Sequence, residues 1–244
     1  MTADEAPGAR SMGDAVDELY GVFGLIRRPA RVEGCSHCVG PDEDRRLLDR
    51  PLRSLPPEDL ARYAAKALNT WGGAEEFRYF VPRLLECAAA DAFGYPDPEI
   101  VFGKLVTAEW RTWVADERAA VEAFLRAWWA EALEDHPVRP GIATRLSCLA
   151  TTGVGLDPFL SAWGRLATTA AIRHLREFVI DDVEWWPDPR LIVFWDRHGP
   201  GYRQVITWLT DGRLVAAVEA AFEGETRDDV LELLAEIHTA LAPG

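Results

Sequence analysis

Apolar side chains recur every three to four residues through nearly the whole chain, and that period dictates helices. In PPEDLARYAAKALNTWGG, residues Leu60, Tyr63, Ala64, Ala67, Leu68 and Trp71 share one helical face. Pro56 or Pro57 suits a first helical turn, Glu58 and Asp59 complement its positive end, and Gly72 with Gly73 stops it. AEEFRYFVPRLLECAAADAFG repeats the spacing at Phe77, Phe80, Val81, Leu84, Leu85 and Ala88. Pro82 falls inside this pattern. An interior proline removes a backbone donor and costs about 3 kcal/mol, which predicts a kink or a break there.

The same rhythm continues through Ile100, Leu105 and Ala108, then Val121, Phe124, Leu125, Trp128, Trp129, Ala132 and Leu133. Helices are expected over 141–152 and 157–182, the latter breaking near Gly164, and again through Leu214–Phe222 and Val230–Leu241. LIVFW (191–195) is the one run short and β-branched enough for a strand, but no partner strand is legible, so a short buried helix is expected. The fold class is therefore all-α, with about ten helices in stacked antiparallel pairs, as a short α-solenoid or an irregular orthogonal bundle. Residues 56–90 and 98–135 read as two such pairs. A polar tail is expected over 1–12 and one helical domain over 13–244, with a sub-boundary near EDHPVRPG (134–141).

Composition narrows the function. A chain of 244 residues with 48% hydrophobic content buries a core without staples. Its net charge of −14 repels phosphates and disfavours nucleic acid. No run approaches the ~20 apolar residues of a membrane span, and the opening MTADEAPGAR lacks the basic and apolar regions of a secretory signal. A cytoplasmic protein with reduced thiols is expected. Charge is uneven along the chain. Residues 27–53 carry seven arginines against five acids, and residues 215–244 carry seven acids against Arg227 alone. Pairing of those arginines within the chain is expected over the steering of an acidic partner.

GCSHCVGPDE (34–43) is where residues that do chemistry crowd together. Cys35 and Cys38 have the i, i+3 spacing with which two thiolates meet one zinc on a tight turn. A full site needs more ligands, and His37, Asp42, Glu43 or a distant histidine such as His136 are the candidates. Redox chemistry is disfavoured, since Val39-Gly40-Pro41 interrupts any helix that would activate the thiol. A loop with a structural role only is the expected reading, and zinc is the alternative. Cys87 and Cys148 sit in apolar helical patterns and are expected as core.

Other motifs fall short. IDDVEWWPD offers Asp181 and Asp182, but Trp185 stands where the DDxxD/E motif of class I terpene synthases needs a carboxylate. Asp196 and His198 in WDRHGPG have no nucleophile motif beside them, and no P-loop, GxSxG, GxGxxG or HExxH occurs. No catalytic residue is assigned. A TetR-like regulator is disfavoured because no basic helix-turn-helix opens the chain. Of the adjacent pairs Trp128–Trp129 and Trp185–Trp186, one member each is expected in the core and the other towards the surface.

The succession CSHC … PLRSLPPEDLARYAAKALNTWGGAEEFRYFVPRLLECA, over roughly residues 35–130, resembles an uncharacterised bacterial all-helical family, and its helix–turn–helix rhythm is similar to HEAT-type repeats. The resemblance implies an all-helical protein with a protein-binding role and no transferable activity. The leading expectation is a non-enzymatic interaction or regulatory module whose partner is another protein, without a cofactor. The alternative is a zinc protein or an enzyme built on the Cys35/Cys38 loop.

Overall fold

The computed structural model describes residues 10–40, 42–192 and 194–242. The tail expected over 1–12 lies outside them up to position 9. Among the described residues the chain is mostly helical, with twelve α-helices and one two-stranded hairpin. No helix is long and apolar enough to cross a membrane. The chain divides into two compact units, Met1–Glu131 and Ala132–Gly244.

The first unit holds α1 (Met12–Phe23), α2 (Glu43–Leu48), α3 (Pro57–Lys66), α4 (Ala74–Ala89), α5 (Pro98–Thr107) and most of α6 (Ala115–Glu134). Ser11 caps α1 by accepting from the Asp14 amide at 3.1 Å. Helix α4 is central and packs on α1, α3 and α5. It runs through Pro82 unbroken. Phe77, Phe80, Val81, Leu84 and Leu85 are all buried on it. At about 1.5–3 kcal/mol for each such side chain, their burial far exceeds the proline's cost. Helix α6 departs from the expectation for Trp pairs. Trp128 and Trp129 are both buried, Trp128 stacked on Phe102 of α5 at 4.8 Å, because this helix is covered on more than one side.

Helix α3 ends earlier than its period suggests. Leu68 takes a left-handed φ of 65°, so Trp71 leaves the helical face. Trp71 instead bridges Gly34, and its indole donates to the Val32 carbonyl at 3.2 Å. Gly72 has a φ of +74°, and an added Cβ there would lie 3.2 Å from both the Tyr63 hydroxyl and a Val32 methyl, so the position suits glycine. The amides of Gly72 and Cys35 donate to Glu33 and Thr70 at 2.7 and 2.8 Å, which docks the thiol segment on this turn.

The second unit holds α7 (Ile142–Thr151), α8 (Asp157–Trp163), α9 (Thr169–Asp181), α10 (Pro200–Thr210), α11 (Arg213–Gly224) and α12 (Asp228–Leu241). The break at Gly164 separates α8 from α9. Helix α9 lies against α7 and α12, and α10 against α7, α8 and α11. The expectation of a short buried helix over 191–195 is corrected. Strand β1 (Val183–Glu184) pairs antiparallel with β2 (Arg190–Leu191), Val183 opposite Leu191 and Glu184 opposite Arg190. Val183 and Leu191 are buried on one face. The partner strand is not legible in the sequence because two residues are too short to show alternation. Val193 lies outside the described residues.

Candidate functional sites

The thiol segment forms a turn. Amides of Cys38 and Val39 donate to the Cys35 carbonyl at 2.8 and 2.9 Å. Backbone amides at His37 and Cys38 and the Cys38 thiol point at the Cys35 sulfur, and these hydrogen bonds, with Lys66 nearby, pull the Cys35 thiol below its ordinary range. Cys35 and His37 are exposed and Cys38 half-buried. Lys66 and Arg62 donate to the Cys38 carbonyl at 2.6 and 3.0 Å, and Arg62 binds Glu43 Oε1 at 2.5 Å. Glu43 is thus turned to α3. Cys87 and Cys148 are buried among apolar residues, and burial raises the Cys87 thiol to about 11. Several arginines of 27–53 are paired: Arg31 with Asp44, Arg45 with Asp42 and Arg53 with Asp17, at 3.5, 3.2 and 2.5 Å.

The second cluster is not adjacent in sequence. His174 and Glu177 stand one turn apart on α9, and His136 comes from the loop that follows α6. Thr168, the N-cap of α9, donates to the Leu133 carbonyl and accepts from the Ala171 amide at 3.0 Å, so the helix start is tied to that loop. The buried Arg145 side chain donates to the carbonyls of Pro140 and Arg139 at 3.2 and 3.4 Å and fixes the loop's other end. His136 Nε2 then lies 2.7 Å from Glu177 Oε1, and the two imidazoles stand 4.7 Å apart.

His174 is 1% exposed. Its Nε2 lies 2.8 Å from the Asp135 carbonyl, which can only accept, so Nε2 carries the hydrogen. Nδ1 has no hydrogen-bond partner and lies 3.7 Å from Glu177 Oε2. Burial pushes the His174 pKa down, and the Asp135 carbonyl opposes it. Asp182, at the end of the same helix, is raised to about 6 by burial and by the charges of Asp181 and Glu177. The neighbouring guanidiniums face α12: Arg176 donates to Glu236 at 2.6 Å, and Arg173 lies 4.0 Å from Asp229. Among the described residues, His136, His174 and Glu177 are the one group of three whose ligand atoms all lie within 4.8 Å of one another. By sequence His136 is grouped with the thiols, and His174 and Glu177 are not singled out. The i, i+3 pair His174-x-x-Glu177 on an amphipathic helix was the available signal.

The third feature is the hairpin. Trp185 is half-buried and donates to the Val179 carbonyl at 2.8 Å, whereas Trp186 is 81% exposed. Ile192 and Phe194 are also exposed, at 62% and 68%. Six acids and one base, Arg190, occupy residues 177–196. Asp196 accepts from the His198 amide at 3.0 Å, and Arg203 donates to the His198 carbonyl, so WDRHGPG is a turn that starts α10.

The chain matches no protein-family model, no curated protein and no solved structure. The likeness that the sequence carries therefore reaches as far as an all-helical globular protein.

Proposed function

We propose that the chain is a helical interaction module of the bacterial cytosol, acting through the hairpin of its second unit on another protein. The carrying observation is Trp186, 81% exposed between β1 and β2, with Ile192 and Phe194 also exposed in the segment that follows β2. A large aromatic held in water is costly for a fold and is what interfaces use as an anchor. The exposed Asp181, Glu184, Asp188 and Asp196 of this segment point to the partner's chemistry: an apolar pocket rimmed by Lys and Arg. That same charge, within a net −14 for the chain, argues against nucleic acid as the partner. The packed helix pairs agree with a binding role.

A photo-crosslinking amino acid placed at Trp186 tests this in native lysate. The expected product joins the chain to one other protein through an apolar segment flanked by Lys or Arg, and weakens as salt rises. A crosslink only to a second copy of the chain, or none, overturns the reading.

A further inference from the structure

We propose that His136, His174 and Glu177 bind a divalent metal ion of the zinc class, with a coordination position left open towards the groove between α9 and α12. This inference does not rest on the hairpin reading.

The geometry sets up an unresolved conflict that a cation removes. With its hydrogen on Nε2, committed to the Asp135 carbonyl at 2.8 Å, His174 presents a bare lone pair at Nδ1. The buried Nδ1 lies 3.7 Å from Oε2 of the partly exposed Glu177, so two acceptors stand together with no protein donor between them. A buried polar atom without a partner is rare and costs about 1–3 kcal/mol. A metal ion accepts from both at once. Holding one imidazole nitrogen by a backbone carbonyl, so that the other is free and aimed, is the arrangement that orients histidine ligands.

The ligand set selects the ion. Two imidazoles and one carboxylate suit zinc and its neighbours, whereas calcium and magnesium take mostly oxygen. In a tetrahedral site with bonds of about 2.0–2.1 Å the ligand atoms stand roughly 3.4 Å apart. The present separations run from 2.7 Å, between His136 and Glu177, to at most 4.8 Å. Glu177 is the most accessible of the three, so its side chain can turn to equalise them. Binding replaces the hydrogen bond between His136 Nε2 and Glu177: the His136 ring then carries its hydrogen on Nδ1 and offers the Nε2 lone pair, so both groups ligate without loss of a ring proton. A groove of about 470 Å³ lined by His136, Arg173, Glu177 and Glu236 opens beside the cluster. It admits water as the fourth ligand, and three protein ligands with one open position mark a site that exchanges ligands.

The test uses the full chain carrying Cys35→Ser and Cys38→Ser, freed of metal by a chelator and titrated with zinc chloride by calorimetry at neutral pH. One zinc per chain is expected. Adding His136→Ala or Glu177→Gln should weaken binding at least ~100-fold, since losing a ligand exceeds the 10–100-fold cost of losing an outer-shell partner. Circular dichroism checks that these accessible substitutions keep the fold. Nitrogen-15 NMR of the histidines supplies a readout without mutation: the His174 Nδ1 and His136 Nε2 resonances should move together on zinc addition. No binding in the thiol-free chain, unchanged affinity in both variants, or histidine resonances that stay put would each overturn the site.

Discussion

Two carboxylate clusters, a buried one in the first unit and a partly exposed one in the second, meet their neighbours differently. In the first unit Glu117, 4% exposed, takes two bonds from the Arg78 guanidinium at 3.2 and 2.5 Å. Arg78 in turn lies 5.8 Å over the Trp113 ring. Charge and hydrogen bonds are both satisfied within the chain. In the second unit Glu177 meets two imidazoles, one offering a lone pair, while Asp181 and Asp182 add like charge. The first cluster is a finished ion pair that holds helices together. The second leaves His174 Nδ1 without a hydrogen-bond partner, and the proposed metal ion would supply one.

The contrast predicts different responses to substitution. Arg78→Ala strands Glu117 in the interior and should cost about 2–3 kcal/mol, the range for broken buried pairs lowered for the partial exposure of Arg78. Urea unfolding reads this as a lower midpoint, and a loss under ~0.5 kcal/mol would show that Glu117 finds water instead. The second cluster should respond to an added ion. Zinc at 100 times its dissociation constant should stabilise the thiol-free chain by about 2.7 kcal/mol, and Glu177→Gln should cut that gain to about 0.4 kcal/mol or less. An equal gain in the Glu177→Gln variant would erase the distinction between the clusters.

Acidity probes the crowding in the second unit. The Asp182 pKa is raised in the folded chain to about 6, from an unfolded value of 3.8, by burial and by Asp181 and Glu177. The folded state therefore holds its proton longer, and this group's contribution to stability falls as pH rises from about 4 to 6. Asp182→Asn should raise the melting temperature at pH 7 and flatten its decline over that window. A variant that melts lower at pH 7 would mean that the ionised carboxylate is favourable. Smallest in stability is Trp186→Ser, expected within ~0.5 kcal/mol of the parent because this side chain is in water. A larger loss would place Trp186 in the core and remove the docking surface.

The thiols supply a kinetic check. Cys35, exposed and lowered in pKa, should be alkylated by iodoacetamide at neutral pH well before Cys87, which burial raises to about 11. Equal rates would show that the turn leaves the Cys35 sulfur unassisted.

Much of this architecture was legible in the period of apolar residues. The faces of α3 and α4, the break at Gly164 and the buried Cys87 and Cys148 follow from spacing and punctuation alone. Trp71 did not, because the helical period runs on by chance past the left-handed Leu68. The hairpin did not, because its strands are two residues each. Motif reading finds groups close in sequence, which is why the Cys35/Cys38 turn stood out. His136 and Glu177 are 41 positions apart. Their meeting depends on Thr168 and Arg145 holding the loop after α6, a tertiary effect that no local spacing encodes.

X-ray absorption at the zinc edge of the wild-type chain, loaded with one equivalent of zinc, separates the two candidate ligand sets directly. Nitrogen and oxygen ligands of the second cluster predict a single first shell at about 2.0–2.1 Å without sulfur. A shell near 2.3 Å would put the ion on the Cys35 and Cys38 thiolates and contradict the account.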